Sequence, residues 1–139
     1  WALSLTEFQA TKIFMINFKA ILKSLGYAFA GLFYVVRTQN NARFHSLATV
    51  LVVAVGFWLQ LTIIQWCLIL IAIGLVWIAE CFNTSLEKMF DLVNPDPHPL
   101  VKNGKDSGAA AVLVAALLSV AIGLLVLLPP LTQKIASLR

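Results

Sequence analysis

Glu80, Asn83, Thr84, Glu87 and Asp91 recur at helical spacing. At about 100° per residue they fall within an arc of roughly 100°, so one face of one helix carries three carboxylates, a carboxamide and a hydroxyl. Such a face repels itself unless cations join it. Glu80 follows the apolar run IIQWCLILIAIGLVWIA directly, which places it at bilayer depth. An ionisable group there is expensive and marks a functional site by default. Lys105 and Asp106 stand just ahead of the next apolar block, GAAAVLVAALLSVAIGLLVLL, and face the same water layer. Carboxylates opposite a lysine and a helix N-terminus suit divalent metal and phosphate. The plainer alternative is a juxtamembrane polar cap with solvated charges, although caps favour lysine and arginine over an inward run of acids.

These residues must be positioned by membrane helices. Of 139 residues 60% are hydrophobic and 12% charged, and the mean hydropathy is +0.90, values outside the range of soluble domains. The chain reads as an all-α integral membrane protein forming one domain over 1–139. Cys67 and Cys81 lie in or beside an apolar segment with no CxxC, which suggests core packing and neither disulfide nor zinc. The net charge of +4 is spread along the chain without a dense basic patch. Nucleic acid is therefore excluded as a partner, and anionic lipid headgroups are favoured.

Residues 5–36 form an apolar segment interrupted by Lys12, Lys19 and Lys23, which project with Arg37 within about 40° on a continuous helix. A basic stripe on an apolar helix predicts an amphipathic helix lying on the cytoplasmic membrane surface. No small-residue cleavage site follows a compact apolar core, which argues against a cleavable signal peptide. A polar connector over 35–45 then leads to a first span at 46–61. The second span runs over 63–91, its end extending into the cytoplasm as the carboxylate face. Three prolines in 92–105 predict a cytoplasmic loop, and a third span over 106–128 is expected to stop at Pro129 and Pro130.

Lysines and arginines flank the first span on its N-terminal side and fill the loop after the second, whereas the turn between them has none. By the positive-inside rule the N-terminus and the acidic loop are cytoplasmic. Gly108, Ala111, Ala115, Ser119 and Gly123 form a small-residue ridge along which another helix backbone can approach. Three spans enclose too little to shield a polar face from lipid, so an oligomer is expected.

The run AECFNTSLEKMFDLVNPDPHPLVKNGKDSGAAAVLV, with E-x-x-N-x-x-x-E at Glu80, Asn83 and Glu87, then Asp91, then Lys105–Asp106, resembles the signature of the bacterial diacylglycerol kinase family. These are small three-span membrane enzymes that include undecaprenol kinases. The likeness extends upstream through KSLGYAFAGL and RTQNNARFH, covering roughly residues 18–128. It implies a homotrimer in the bacterial cytoplasmic membrane, with active sites shared between subunits, using Mg²⁺ and ATP to phosphorylate a lipid hydroxyl. Residue by residue it assigns Glu80 as general base, Asn83 as a hydrogen-bonding site residue, Glu87 as metal ligand, Lys105 as a contact to ATP phosphates, Asp106 as a site-organising acid and His98 as a neighbour of the nucleotide. Phosphoryl transfer needs this set: metal and lysine to neutralise charge, and a positioned base for the hydroxyl. The tetrad Gly104–Ser107 lacks the upstream glycine of a Walker A loop.

At Gln39 the family pattern has a metal-binding glutamate, and no acid occurs between Glu7 and Glu80 to replace it. A glutamine oxygen can ligate Mg²⁺ or a phosphate-bound cation but brings no charge, which predicts weakened metal affinity. The expected activity is ATP- and Mg²⁺-dependent phosphorylation of diacylglycerol to phosphatidic acid. Alternatives are an undecaprenol kinase, which the loop DLVNPDPHPLVK resembles more, a catalytically impaired relative, and a small proton-coupled transporter.

Overall fold

The computed structural model describes residues 16–94 and 96–137. Residues 5–15 of the expected surface helix, with Lys12, and the tail residue Arg139 lie outside them. The described residues are all-helical: α1 (Phe18–Thr38), α2 (Asn40–Leu59), α3 (Ile63–Val93) and α4 (Pro99–Ala136). The chain divides into two units, 1–33 and 34–139, so that α1 begins in one and ends in the other. In the first, the Asn17 side-chain oxygen accepts from the Ala20 amide at 3.1 Å and starts α1. The exposed Lys23 ammonium lies 5.8 Å from the Tyr27 ring centre. All four helices are long and apolar enough to cross a membrane, including α1, which the basic stripe had placed on the surface.

The expected polar connector over 35–45 is instead helical except at Gln39, where the backbone is extended (φ −103°, ψ 123°). Arg43 explains the sharp break. Its guanidinium donates to the carbonyls of Val36, at 3.2 Å, and Arg37, so orphan acceptors at the end of α1 are satisfied by a residue of α2. The helix that carries the first expected span thus begins at Asn40.

α2 and α3 are joined by a turn of three residues. Gln60 is left-handed (φ 57°) and the Leu61 amide donates to the Gly56 carbonyl at 3.2 Å. Thr62 and Gln65 then form a capping box that starts α3. Leu59, Leu61, Ile69 and Val126 pack together behind this turn with Val52, Trp66 and Ile122 around them. A side chain at Gly56 would meet the Trp66 ring at 2.8 Å, so glycine is required there by close approach.

The loop expected over 92–105 is shorter, because α4 begins at Pro99. Proline at the first helical position brings its φ already set, and His98 Nδ1 accepts from the Leu100 amide at 3.2 Å as the N-cap. Lys102, Lys105 and Asp106 are therefore on a helix. Nor do Pro129 and Pro130 stop α4, which continues to Ala136. Interior proline costs about 3 kcal/mol; the last turns are held by the Thr132 hydroxyl, which donates to the Pro129 carbonyl at 2.8 Å, and by Lys134, which donates to the Trp58 carbonyl at 2.6 Å.

The small-residue ridge is used in part against α3. A Cβ at Gly108 would collide with Asn83 Oδ1, and the Ser119 hydroxyl donates to the Ala72 carbonyl at 2.8 Å. Gly123 at the other end of the ridge has open space beside it. Most large apolar side chains of α2–α4, among them Leu70, Leu117 and Leu125, are exposed. For helices whose backbone bonds are all internal, hydrocarbon is the medium in which that exposure is stable.

Candidate active site

The carboxylate face of α3 is buried where it meets α2 and α4. Glu80, Asn83 and Thr84 are 1%, 8% and 2% exposed, the buried polar residues of the described chain. The helical spacing read from the sequence is what assembles them. Asn83 Nδ2 donates to Glu87 Oε1 at 3.1 Å, one turn along, and Gln39 Nε2 donates to Glu87 Oε2 at 3.3 Å from the break between α1 and α2. Glu87 is thus held by two carboxamides, one from its own helix and one from the break between α1 and α2.

Three side-chain atoms in this patch are buried without a hydrogen bond: Glu80 Oε1, Asn83 Oδ1 and Thr84 Oγ1. An unpartnered buried polar group costs about 1–3 kcal/mol, and three together mark a place organised for something other than stability. His45, from α2, brings Nε2 to 3.5 Å from Glu80 Oε1. At that distance the two groups are neighbours but not hydrogen-bonded.

Beyond Glu87 a second polar group spans the α3–α4 end. The Lys105 ammonium donates to Asp91 Oδ1, Lys88 lies 3.7 Å from Asp91 Oδ2, and Lys102 donates to Asp106 at 2.7 Å. Asp91 lies well past the apolar run that ends at Ala79, and its hydrogen bond to Lys105 holds its carboxyl below the usual range. Asp91, Asn94, Asp96, His98, Lys102 and Lys105 line a cavity of about 700 Å³.

The site residues expected from the sequence therefore fall into two groups. Glu80, Asn83, Glu87 and Gln39 form one patch. His98, Lys105 and Asp106 belong to the other, and among the described residues no hydrogen bond or ion pair joins the two. His45 and Asp91's pairing with Lys105 were not anticipated. His45 was read as part of a connector; its signal was the apolar, helix-compatible run that follows it.

An apolar groove of about 460 Å³ starts at Phe44 and His45 and runs between α2, α3 and α4 past Ala72 and Ser119 to Leu131. A buried acid, two carboxamides, a lysine-bearing polar cavity and a hydrocarbon-lined groove thus meet on one helical bundle.

The profile described as "Prokaryotic diacylglycerol kinase" matches residues 26–127, which include both polar groups. The chain belongs to the prokaryotic diacylglycerol kinase family. It is a multi-pass membrane lipid kinase, and membership implies ATP as phosphoryl donor. The kinase is 41% identical over 109 residues to the undecaprenol kinase of Bacillus subtilis, covering 78% of this chain and 89% of that one. It is also 41% identical over 112 residues to a diacylglycerol kinase of Synechocystis, covering 80% of this chain and 64% of that one. With the diacylglycerol kinase of Escherichia coli K12 it shares 32% over 104 residues, 75% of this chain and 85% of the other.

Whether the first patch fits a hard cation is answered by its donor atoms. All are oxygens or carboxamides: Glu87 offers two oxygens, Asn83 Oδ1 is buried and unpartnered, and Gln39 needs only an amide rotation to present its own. Among the described residues no cluster of three or more His, Cys, Asp or Glu could cage a metal. Mg²⁺ does not need one, since it is commonly held by one or two carboxylates plus phosphate oxygens and water. The residues fit.

Proposed function

We propose that the kinase transfers the γ-phosphate of ATP to the terminal hydroxyl of undecaprenol, in a Mg²⁺-dependent reaction. The observation that carries the reaction is the buried Glu80 carboxyl, whose Oε1 has no hydrogen bond and lies 3.5 Å from His45 at one end of the apolar groove, with Glu87 two turns further along the same helix. The choice of lipid is supported by the 41% identity to an undecaprenol kinase over 89% of that protein. Diacylglycerol, giving phosphatidic acid, is the second reading, favoured by the likeness to the Synechocystis and E. coli enzymes.

In this reading Glu80 accepts the proton of the lipid hydroxyl as its oxygen attacks the γ-phosphorus. Bound at Glu87, Gln39 and Asn83, Mg²⁺ would neutralise charge on the phosphate oxygens. Lys105 turns from Asp91 to the phosphates, and the cavity lined by Asp91, His98 and Lys102 holds the rest of the nucleotide. Asp106 fixes Lys102 and so shapes that cavity. Burial of Glu80 excludes water, which would otherwise compete as phosphoryl acceptor.

The family resemblance supports a homotrimer whose subunits would share the site. The N-terminus and site face the cytoplasm, where ATP is, in agreement with the positive-inside count. The Lys19 and Lys23 side of α1 lies against anionic headgroups.

The test is transfer of radioactive γ-phosphate in mixed micelles, with undecaprenol and diacylglycerol in parallel and magnesium titrated. Labelled undecaprenyl phosphate is expected. Labelled phosphatidic acid alone would select the second reading, and no labelled lipid with an intact oligomer would contradict both.

A further inference from the structure

Among the described residues, the side chain that forms an ion-pair-distance contact with Glu80 is not one of those assigned above. His45 sits on the second turn of α2, its side chain 16% exposed, with Nε2 3.5 Å from Glu80 Oε1, whose own side chain is 2% exposed. The titratable side chains that face Glu80 are His45 from α2 and, two turns along its own helix, Glu87. On the α4 side, Gly108 is pressed against Asn83 and brings no charge. The turn carrying His45 is itself fixed. Thr49 Oγ1 donates to the His45 carbonyl at 2.7 Å and accepts from Trp77 Nε1 at 3.3 Å, pinning α2 to α3 three residues before Glu80. Phe44 meets the imidazole edge-on, with ring centres 5.9 Å apart.

We propose that His45 is a positioning residue for Glu80, holding its Oε1 so that Oε2 is presented to the acceptor hydroxyl. The proposal rests on the reading of Glu80 as the base. A buried carboxylate needs a partner to be tolerated, and no other side chain supplies one to Oε1 among the described residues. A small shift of the imidazole turns the 3.5 Å contact into a charge-assisted hydrogen bond. Because an orienting partner acts on the chemical step and not on nucleotide binding, its loss lowers kcat and leaves KM for ATP as it was.

Two measurements test this. In the first, His45→Ala lowers kcat by about 100-fold with KM for ATP within about twofold of wild type, and His45→Gln, whose amide can donate to the same oxygen, recovers roughly tenfold of that loss. In the second, thermal unfolding is followed in micelles for His45→Ala, Glu80→Gln and the pair. His45→Ala lowers Tm by about 5 °C where Glu80 is present and by less than half as much in the Glu80→Gln background, since no buried charge is then left alone.

Additive Tm shifts, an unchanged kcat in His45→Ala, or equal losses in both His45 variants with KM for ATP rising in step would each overturn the proposal. If wild-type protein phosphorylates no lipid while the Tm coupling persists, the reading of the reaction fails and the pairing of His45 with Glu80 stands.

Discussion

The two ends of the α2–α4 bundle are built from the same helices and obey opposite rules. At the turn end, Leu59, Leu61, Ile69 and Val126 pack together, and the polar groups are partnered: Thr62 with Gln65, and Lys134 with the Trp58 carbonyl. At the other end Glu80, Asn83 and Thr84 are as deeply buried as that core, yet each leaves a polar atom without a bond. The first end makes the bundle stable; the second uses that stability. A patch costing a few kcal/mol persists only where the neighbouring structure over-determines it.

Breaking each end should separate the two properties. The largest effect on turnover is expected at Glu80: Glu80→Gln removes the proposed base and lowers kcat by about a thousandfold, while Tm stays level or rises because a buried charge is gone. A fall in Tm with kcat preserved would make Glu80 a structural residue. Ile69→Ala, 1% exposed at the opposite end, should do the reverse, costing about 2–5 kcal/mol of stability with kcat at permissive temperature nearly unchanged.

Gly108→Ala should be smaller and mixed. Its Cβ runs into Asn83 Oδ1, so α4 must shift or Asn83 must release Glu87. The expected result is a loss of about tenfold in kcat with a destabilisation of about 1–3 kcal/mol; an unaffected enzyme would mean that the helices separate freely there.

The weakest effect is at the exposed Asp91–Lys105 pair. The folded carboxyl titrates below its unfolded value, so the pair's contribution is present above the unfolded pKa and is lost as pH falls through the lower folded one. Asp91→Asn should therefore flatten the dependence of Tm on pH in the acid range and leave it alone near neutrality.

The two ends also differed in how far the sequence revealed them. The α3 face was legible because 100° spacing alone aligns Glu80, Asn83, Glu87 and Asp91. Gln39 came only through family resemblance, since its bond to Glu87 spans 48 residues. His45 was hidden because the run 35–45 is polar enough to pass for a connector, and Arg43's reach to the Val36 and Arg37 carbonyls, which lets one residue break the helix, leaves no periodic trace. Prolines misled twice. Pro99 starts a helix, and Pro129 and Pro130 are carried inside one, because a cap, a threonine hydroxyl and a lysine hold the chain around them. Substrate, metal and subunit number depend on groups outside a single chain and have no local signature.

The central claim is that the patch on α3 is a Mg²⁺–ATP phosphoryl-transfer site whose metal would be held by one carboxylate, Glu87, where the family resemblance leads us to expect a second at position 39. The most direct measurement is the magnesium dependence of phosphate transfer to lipid in wild type and in Gln39→Glu. A second carboxylate facing Glu87 should lower the half-saturating magnesium concentration by about tenfold or more. Superimposable magnesium curves for the two proteins would contradict the account, because they would place the metal away from Glu87 and Gln39.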